Sequence, residues 1–131
     1  MSELFLDNDY ATFLAGETIT QFALVTLESD GFLDECDGTA DADTNVIGVA
    51  MNGATVGLPV NVRLLNRGGI VTVIADLNDL AVGDNLYTAA GGEVTDSNLS
   101  GTMVGIALEA SDTALDHIQM LVAMGQIYNL T

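Results

Sequence analysis

A histidine beside a carboxylate is the smallest unit of acid–base chemistry, and this chain has one: Asp116-His117, with Ser111 upstream. A nucleophilic relay would need its serine on a strained Gly-x-Ser-x-Gly elbow, but Ser111 stands between Ala110 and Asp112. The reading is a surface or interface histidine rather than a general base, and no catalytic residue is assigned. Cys36, the single cysteine, lies between Glu35 and Asp37. Flanking carboxylates raise a thiol pKa and make a poor nucleophile. One cysteine and one histidine offer no zinc spacing. The acidic run Asp34 to Asp43 invites a calcium test. With Gly38 as the sixth position of an EF-hand loop, Leu33 would be first and Thr44 twelfth, and neither is the ligand required. A solvated loop is the default, with no metal site assigned. No glycine-rich cradle followed by lysine supports nucleotide binding, so no cofactor is expected. Arg63 and Arg67 are the only cations. They fit either a local ion pair or, in a symmetric assembly, carboxylates of a neighbouring subunit.

Those two arginines face 19 acidic residues across 131 positions, for a formal net charge of −17. Phosphate neutralisation needs lysine and arginine, so neither nucleic acid nor an anionic membrane surface is an expected partner. Hydrophobic residues make up 49% of the chain, which separates it from disordered acidic tails. The length suits one domain. A lone cysteine rules out an intrachain disulfide. The N-terminus lacks a basic segment followed by an apolar one, so no signal peptide is expected. The longest uncharged stretch, Thr44 to Val62, is broken by asparagines, Pro59 and glycines and does not read as a membrane helix. Production and use in a cytoplasm, or release from one by lysis, is the expectation. High net charge self-repels and is relieved by salt, which suits a saline source or a coat that must not aggregate.

Fourteen glycines, one proline and β-branched runs predict short strands and turns. The strands expected are Thr18–Leu27, Phe32-Leu33, Val46–Ala50, Val60–Leu65, Ile70–Ile74, Asn85–Thr88, Val94-Thr95, Thr102–Leu108 and His117–Ala123. Helix is expected only as a turn near Leu77–Leu80 or Asp112–Leu115. Residues 1–15 read as an N-terminal arm ahead of a single β-domain spanning 16–131. In the arm, Leu4, Phe5, Leu6, Tyr10, Phe13 and Leu14 follow neither strand nor helix periodicity; it packs on its own domain or on a partner. Val46-Ile47-Gly48-Val49-Ala50-Met51 matches Met103-Val104-Gly105-Ile106-Ala107-Leu108 in residue type at every position. Each copy is preceded by a Gly-acid pair, Gly16-Glu17 or Gly83-Asp84, and followed by a strand. Two copies are too few for a solenoid. They predict an all-β fold, a sandwich or small β-barrel built from two similar half-barrels closing on one core, with an extended N-terminal arm. Gly16, Gly48, Gly83 and Gly105 are the structural glycines, Gly48 and Gly105 marking a bulge or close crossing.

With the Gly-acid starts, the paired apolar-Gly-apolar-Ala steps and the passage Leu80 to Tyr87, the chain resembles the capsid decoration (cement) proteins of tailed bacteriophages. The matching positions are Val82 to Tyr87, Gly92 to Thr95 and Val104 to Ala107, within roughly residues 16 to 124. The resemblance implies a compact all-β domain of the β-tulip or small-barrel kind, and a structural virion protein on the outer capsid surface, made in the host cytoplasm. It would bridge major capsid subunits as a homotrimer, with the arm as capsid contact and Arg63 and Arg67 as subunit-interface candidates. Another capsid or tail accessory, or a head-fibre base, shares the composition. A salt-adapted small-ligand or carbohydrate-binding barrel is the reading from another class. It requires a pocket with convergent polar and aromatic groups, and the chain has no tryptophan.

Overall fold

Glycine-punctuated, β-branched segments fold here into ten strands and no α-helix among the residues that the computed structural model describes: 9–39, 42–76 and 79–124. The first five are β1 (Tyr10–Ala15), β2 (Leu24–Leu27), β3 (Phe32–Glu35), β4 (Val46–Ala50) and β5 (Pro59–Leu64). They close a barrel in the order β1-β3-β2-β4-β5. The next five are β6 (Ile70–Ile74), β7 (Asn85–Ala89), β8 (Glu93–Thr95), β9 (Met103–Ala107) and β10 (His117–Val122). These form a sheet in the order β6-β10-β9-β7-β8. A parallel bridge between Ala75 and Val94 brings its two ends together, and the Asp76 N–H donates to Val94 O at 2.9 Å.

The two units have the same topology. The parallel contact of β1 with β3, Ala15 opposite Leu33, corresponds to the Ala75–Val94 bridge. Tyr10 opposite Arg63 corresponds to Ile70 opposite Leu121. Val49 opposite Arg63 corresponds to Ile106 opposite Leu121. The β2–β4 pairing shifts register between Val25 and Thr26, and the β7–β9 pairing shifts at the matching point, between Leu86 and Tyr87. The two expected half-units are present: the first is a closed five-stranded barrel, and the second is a five-stranded sheet that the Ala75–Val94 bridge curls into a second, barrel-like unit.

Gly48 and Gly105 sit at these irregularities for a steric reason. A Cβ on Gly48 would collide with the Arg63 carbonyl oxygen and lie 2.5 Å from Val62 Cγ1. On Gly105 it would collide with Leu121 O and lie 2.5 Å from Met120 Cγ. The same crossing strand thus presses on the same glycine in both barrels.

The start of the repeat differs from the sequence reading. Gly83 N–H donates to Ala107 O at 2.8 Å, and Phe22 N–H donates to Ala50 O at 2.7 Å. Ala50 and Ala107 are equivalent, so Gly83-Asp84 corresponds to Phe22-Ala23, not to Gly16-Glu17. Phe22 and Gly83 share a positive φ, 72° and 94°. Gly16 has a different role: a Cβ there would lie 3.0 Å from Leu33 O and 3.1 Å from Phe32 Cβ.

Leu115 and Gly57 repeat this relation. Leu115 N–H donates to Ala75 O and Gly57 N–H to Ala15 O, with φ of 69° and 85°. Leucine in that region costs roughly 1–2 kcal/mol. Leu115 is 57% exposed, so little burial offsets the cost. Leu115→Gly is expected to raise unfolding stability by a few tenths to about 1 kcal/mol, after the entropy glycine adds to the unfolded chain. Gly57→Leu is expected to lower it by a similar few tenths to about 1 kcal/mol, the strain being partly offset by the entropy that leucine removes from the unfolded chain. Urea titrations of the two variants check both signs.

Other expectations are also revised. Tyr10–Ala15, assigned to an arm, form β1 and pair with β5 from Tyr10–Arg63 to Leu14–Pro59. Phe13 turns inward onto the core of the first barrel. Leu4, Phe5 and Leu6 lie outside the described residues. The run Thr18–Leu27 becomes strand only from Leu24, with Ile19 making a single bridge to Ala54. Short 3₁₀ turns occupy Ala42–Asn45 and Leu65–Arg67. Asp112–Leu115 contains no helix, and residues 77 and 78 lie outside the described residues.

Two apolar clusters result. Ala15, Ile19, Val25, Leu33, Ala50, Val60 and Val62 fill the first barrel. The second cluster fills the other barrel and continues across to Leu24, Val46, Val49, Cys36 and Leu65 of the first. Strand β2 is therefore buried on both faces, Val25 toward its own barrel and Leu24 toward its neighbour, which explains its continuous apolar run. The β7–β8 turn seals the junction: Leu24 N–H donates to Gly92 O at 2.8 Å, and Gly92 N–H to Cys36 O at 3.0 Å.

Candidate functional site

The residues with catalytic potential each have structural partners. Asp116 accepts from the Asp112 and Thr113 backbone N–H groups, at 2.8 and 3.0 Å, and from Thr113 Oγ1 at 2.8 Å. These hydrogen bonds to Thr113 and Asp112 stabilise its charged form and hold its pKa below the ordinary value. His117 turns its ring to Phe22 in a T-shaped contact, centroids 4.9 Å apart. Ser111 Oγ accepts from the buried Leu80 N–H. Cys36 is buried, and desolvation, then Asp43, push its thiol far above the ordinary value.

The acidic loop after β3 is organised by one of its own carboxylates. Asp43 is buried and accepts from Asp37 N–H at 2.9 Å and Gly38 N–H at 2.8 Å. Gly38 has φ 89°, and a Cβ there would lie 2.8 Å from Ala90 N. Among the described residues no group of three or more His, Cys, Asp or Glu is arranged to hold a metal ion.

Both arginines have partners within their own chain. Arg63 Nη1 donates to Leu64 O and Nη2 to Gly68 O, each at 2.6 Å, clamping the turn after β5. Arg67 Nε pairs with Asp9 Oδ1 at 3.3 Å on the surface, an arrangement of small energetic weight.

Carboxylates crowd one side of the barrels. Burial first, then Glu17, Glu28 and Asp30, raise the pKa of Asp34. Burial raises Asp76 despite a hydrogen bond from Thr95, and one Asp76 oxygen is buried without a partner. Burial, then Asp76 and Glu35, raise Glu93. A carboxyl with a raised native pKa binds its proton more tightly when folded. Stability then falls as pH rises through the window above the ordinary values, 3.8 for aspartate and 4.5 for glutamate. Asp116, with its lowered pKa, contributes in the opposite direction, its part being lost as pH falls. Melting temperature measured between pH 7 and 4.5 is expected to rise on acidification. Asp34→Asn, Asp76→Asn and Glu93→Gln are each expected to raise it at pH 7 and flatten that slope. Added salt is expected to act in the same direction.

What the surface offers a partner is apolar. On the first barrel Leu14 is 43% exposed and lies between Phe32 and Pro59, its partners on β3 and β5. On the second, Leu121 is 39% exposed, between Ile70 at 56% and Ile106. Tyr10 is also exposed, opposite Arg63. Sequence reasoning found Leu14 and Tyr10 and missed the second row. Its one signal was Leu121, an apolar residue out of phase with the inward-facing Ile118 and Met120. Among the described residues, those lining an apolar cleft of about 240 Å³ are Val46, Ile47, Leu64, Asn66 and Met124, with no aromatic or charged side chain of the kind carbohydrate recognition requires.

A family model described as phage cement protein matches residues 7–124 of the chain. In fold the chain is similar to the head fiber gp8.5 N base of bacteriophage phi29. The TM-score is 0.67 and the identity 22%, over 87% of this chain and 92% of that one. No curated protein matches it in sequence.

Proposed function

Because the chain belongs to the phage cement protein family, we propose that it is a structural protein of the virion, seated on the outside of the phage head. There it bridges neighbouring major capsid subunits as a homotrimer and stabilises the shell. It is made in the host cytoplasm and performs no catalysis. The family match across 7–124 carries this reading. The surface chemistry supports it: two acidic barrels with exposed apolar rows suit a coat whose copies stay apart in solution and attach through limited footprints. Many weak attachments on one particle add up to a stable layer.

Of the residues assigned to capsid contact, Tyr10 and Leu14 are exposed and Phe13 is turned inward. The docking segment in this reading is therefore residues 1–8, with Leu4, Phe5 and Leu6, supported by Tyr10 and Leu14. A head-fibre base is the alternative, favoured by the fold shared with the phi29 protein. It predicts sparse projections where the cement reading predicts a regular layer.

Expanded heads lacking this protein, mixed with the purified chain, provide the test. The chain is expected to co-sediment with the heads and raise their heat resistance. A variant lacking residues 1–8 keeps β1 intact and is expected to bind more weakly. Failure of the full chain to co-sediment at any salt concentration overturns the proposal.

A further inference from the structure

The apolar cleft of about 240 Å³ lies on the seam between the two barrels. Ile47 and Leu64 in its wall pack against the cluster that fills the first barrel. Val46 belongs to the second cluster, and Met124 packs against it. Asn66, exposed at the rim, is the one polar side chain of the five. An apolar cavity of roughly 150 Å³ holds a benzene ring, so the cleft has room for an aromatic ring and an aliphatic group beside it. Covering such a wall is favourable in proportion to the apolar area taken from water.

Both ends of the described chain reach this cleft. Met124, the last described residue, is part of its wall. Asp9, the first, accepts through its backbone oxygen from the Leu64 N–H at 2.7 Å. Met124 is followed by Gly125-Gln126-Ile127-Tyr128-Asn129-Leu130-Thr131, which carries no charge. Asp9 is preceded by Leu4, Phe5 and Leu6, but with Glu3 and Asp7 around them. A carboxylate drawn over an apolar wall loses hydration that nothing there replaces. Arg63 is already bonded to Leu64 O and Gly68 O, and Arg67 to Asp9. The uncharged segment has no such cost.

We propose that residues 125–131 turn back over the cleft and seat Tyr128 in it, with Leu130 alongside, strapping the two barrels together. The four residues from Met124 to Tyr128 span at most about 14 Å, enough to cross the cleft and return. Residues two apart on an extended segment share a face, which places Leu130 beside Tyr128. Tyrosine suits the site, because its ring is covered while its hydroxyl stays at the rim with Asn66. Anchorage at Met124 keeps the segment at high local concentration and makes the loop it closes short. Residues 1–8 leave from the same edge and stay available to the capsid.

Nuclear Overhauser contacts in the full chain, free of capsids, provide the test. The Tyr128 ring is expected to show them to the methyl groups of Ile47 and Leu64, and Tyr128→Ser to remove them. A chain ending at Met124 is expected to melt about 5 °C lower than the full chain. If the shortened chain fails to fold, Tyr128→Ser with Leu130→Ser is read instead, with the same sign expected. Absence of the Tyr128 contacts overturns the proposal, as do contacts from Phe5 in their place. Contacts seen only between differently labelled copies, or a melting temperature unchanged by the loss of 125–131, overturn it as well. None of these results bears on capsid co-sedimentation, so failure of the strap and failure of capsid attachment are separately visible.

Discussion

Gly105→Ala is expected to destabilise the protein by about 3 kcal/mol or more, and Gly48→Ala by a similar amount. A methyl group on Gly105 would strike the Leu121 carbonyl oxygen and lie 2.5 and 2.6 Å from Met120 Cγ and Sδ. The methionine can turn aside. The carbonyl cannot, because it belongs to the β10 backbone that pairs with both β6 and β9. At Gly48 the obstacle is likewise backbone, the Arg63 carbonyl, on a strand paired with both β1 and β4. Overpacking in well-packed interiors commonly costs 1–3 kcal/mol, and collision with a backbone that cannot move lies at or beyond the upper end of that range. For a chain of this length the loss corresponds to a fall in melting temperature of roughly 10 °C or more. Thermal unfolding by circular dichroism measures it. A change below about 1 kcal/mol in either variant would show that the crossing strand is free to shift.

The second large effect separates two turns of nearly identical conformation. Gly31 and Gly92 have φ of 85° and 73° and occupy equivalent hairpins. Gly31→Ala meets empty space and is expected to cost about 1 kcal/mol, the strain of the left-handed region alone. Gly92→Ala carries that strain and adds contacts of 2.6 Å to Ala23 Cβ, 2.9 Å to Leu24 O and 3.0 Å to Leu24 N. Relieving them moves the turn away from the first barrel and breaks the bonds from Leu24 N–H to Gly92 O and from Gly92 N–H to Cys36 O. A cost of about 3 kcal/mol or more is expected, through both the collision and the buried groups left unpaired. Amide exchange gives a local reading of the same event. The Leu24 N–H is expected to lose protection in Gly92→Ala and keep it in Gly31→Ala. Equal costs for the two substitutions would mean that the barrels are not held by this turn.

The contrast between the glycine pairs also shows what in the sequence was legible. The repeat is readable at Gly48 and Gly105 because both barrels press the same backbone against the same position, so both need the same residue. It is unreadable at the start of the repeat, because the shared positive φ is met by phenylalanine in one barrel and glycine in the other. Nothing local to Thr18–Leu27 reveals that Phe22 breaks the run; the reason lies in its hydrogen bond to Ala50 on another strand. Val46–Ala50 and Ile70–Ile74 carried their bounds in composition alone, flanked by turn residues. The first fifteen residues misled for a different reason. Strand β1 has apolar residues on both faces, Phe13 inward, Leu14 and Tyr10 outward, so it shows no alternation and reads as an arm. The same two-sided apolarity hid the Ile70–Leu121 row, since β10 already had inward residues enough to satisfy a strand pattern. The arginines were conspicuous by type, but their partners could not be foreseen: Arg63 turns to backbone carbonyls, which leave no mark in a sequence.

The net charge gains meaning from this arrangement. Carboxylates with raised pKa gather in two groups: Asp34, raised by burial and then by Glu17, Glu28 and Asp30, and Glu93, raised by burial and then by Asp76 and Glu35. The exposed Phe32 borders the first group, its N–H donating to Asp30 Oδ1 at 3.0 Å.

Electron cryo-microscopy of the native particle tests the central claim most directly. The account predicts density on the outer surface of the head in which pairs of five-stranded barrels fit, resting across the junctions between major capsid subunits. Heads carrying no such density, or density confined to the interior or the tail, would contradict it.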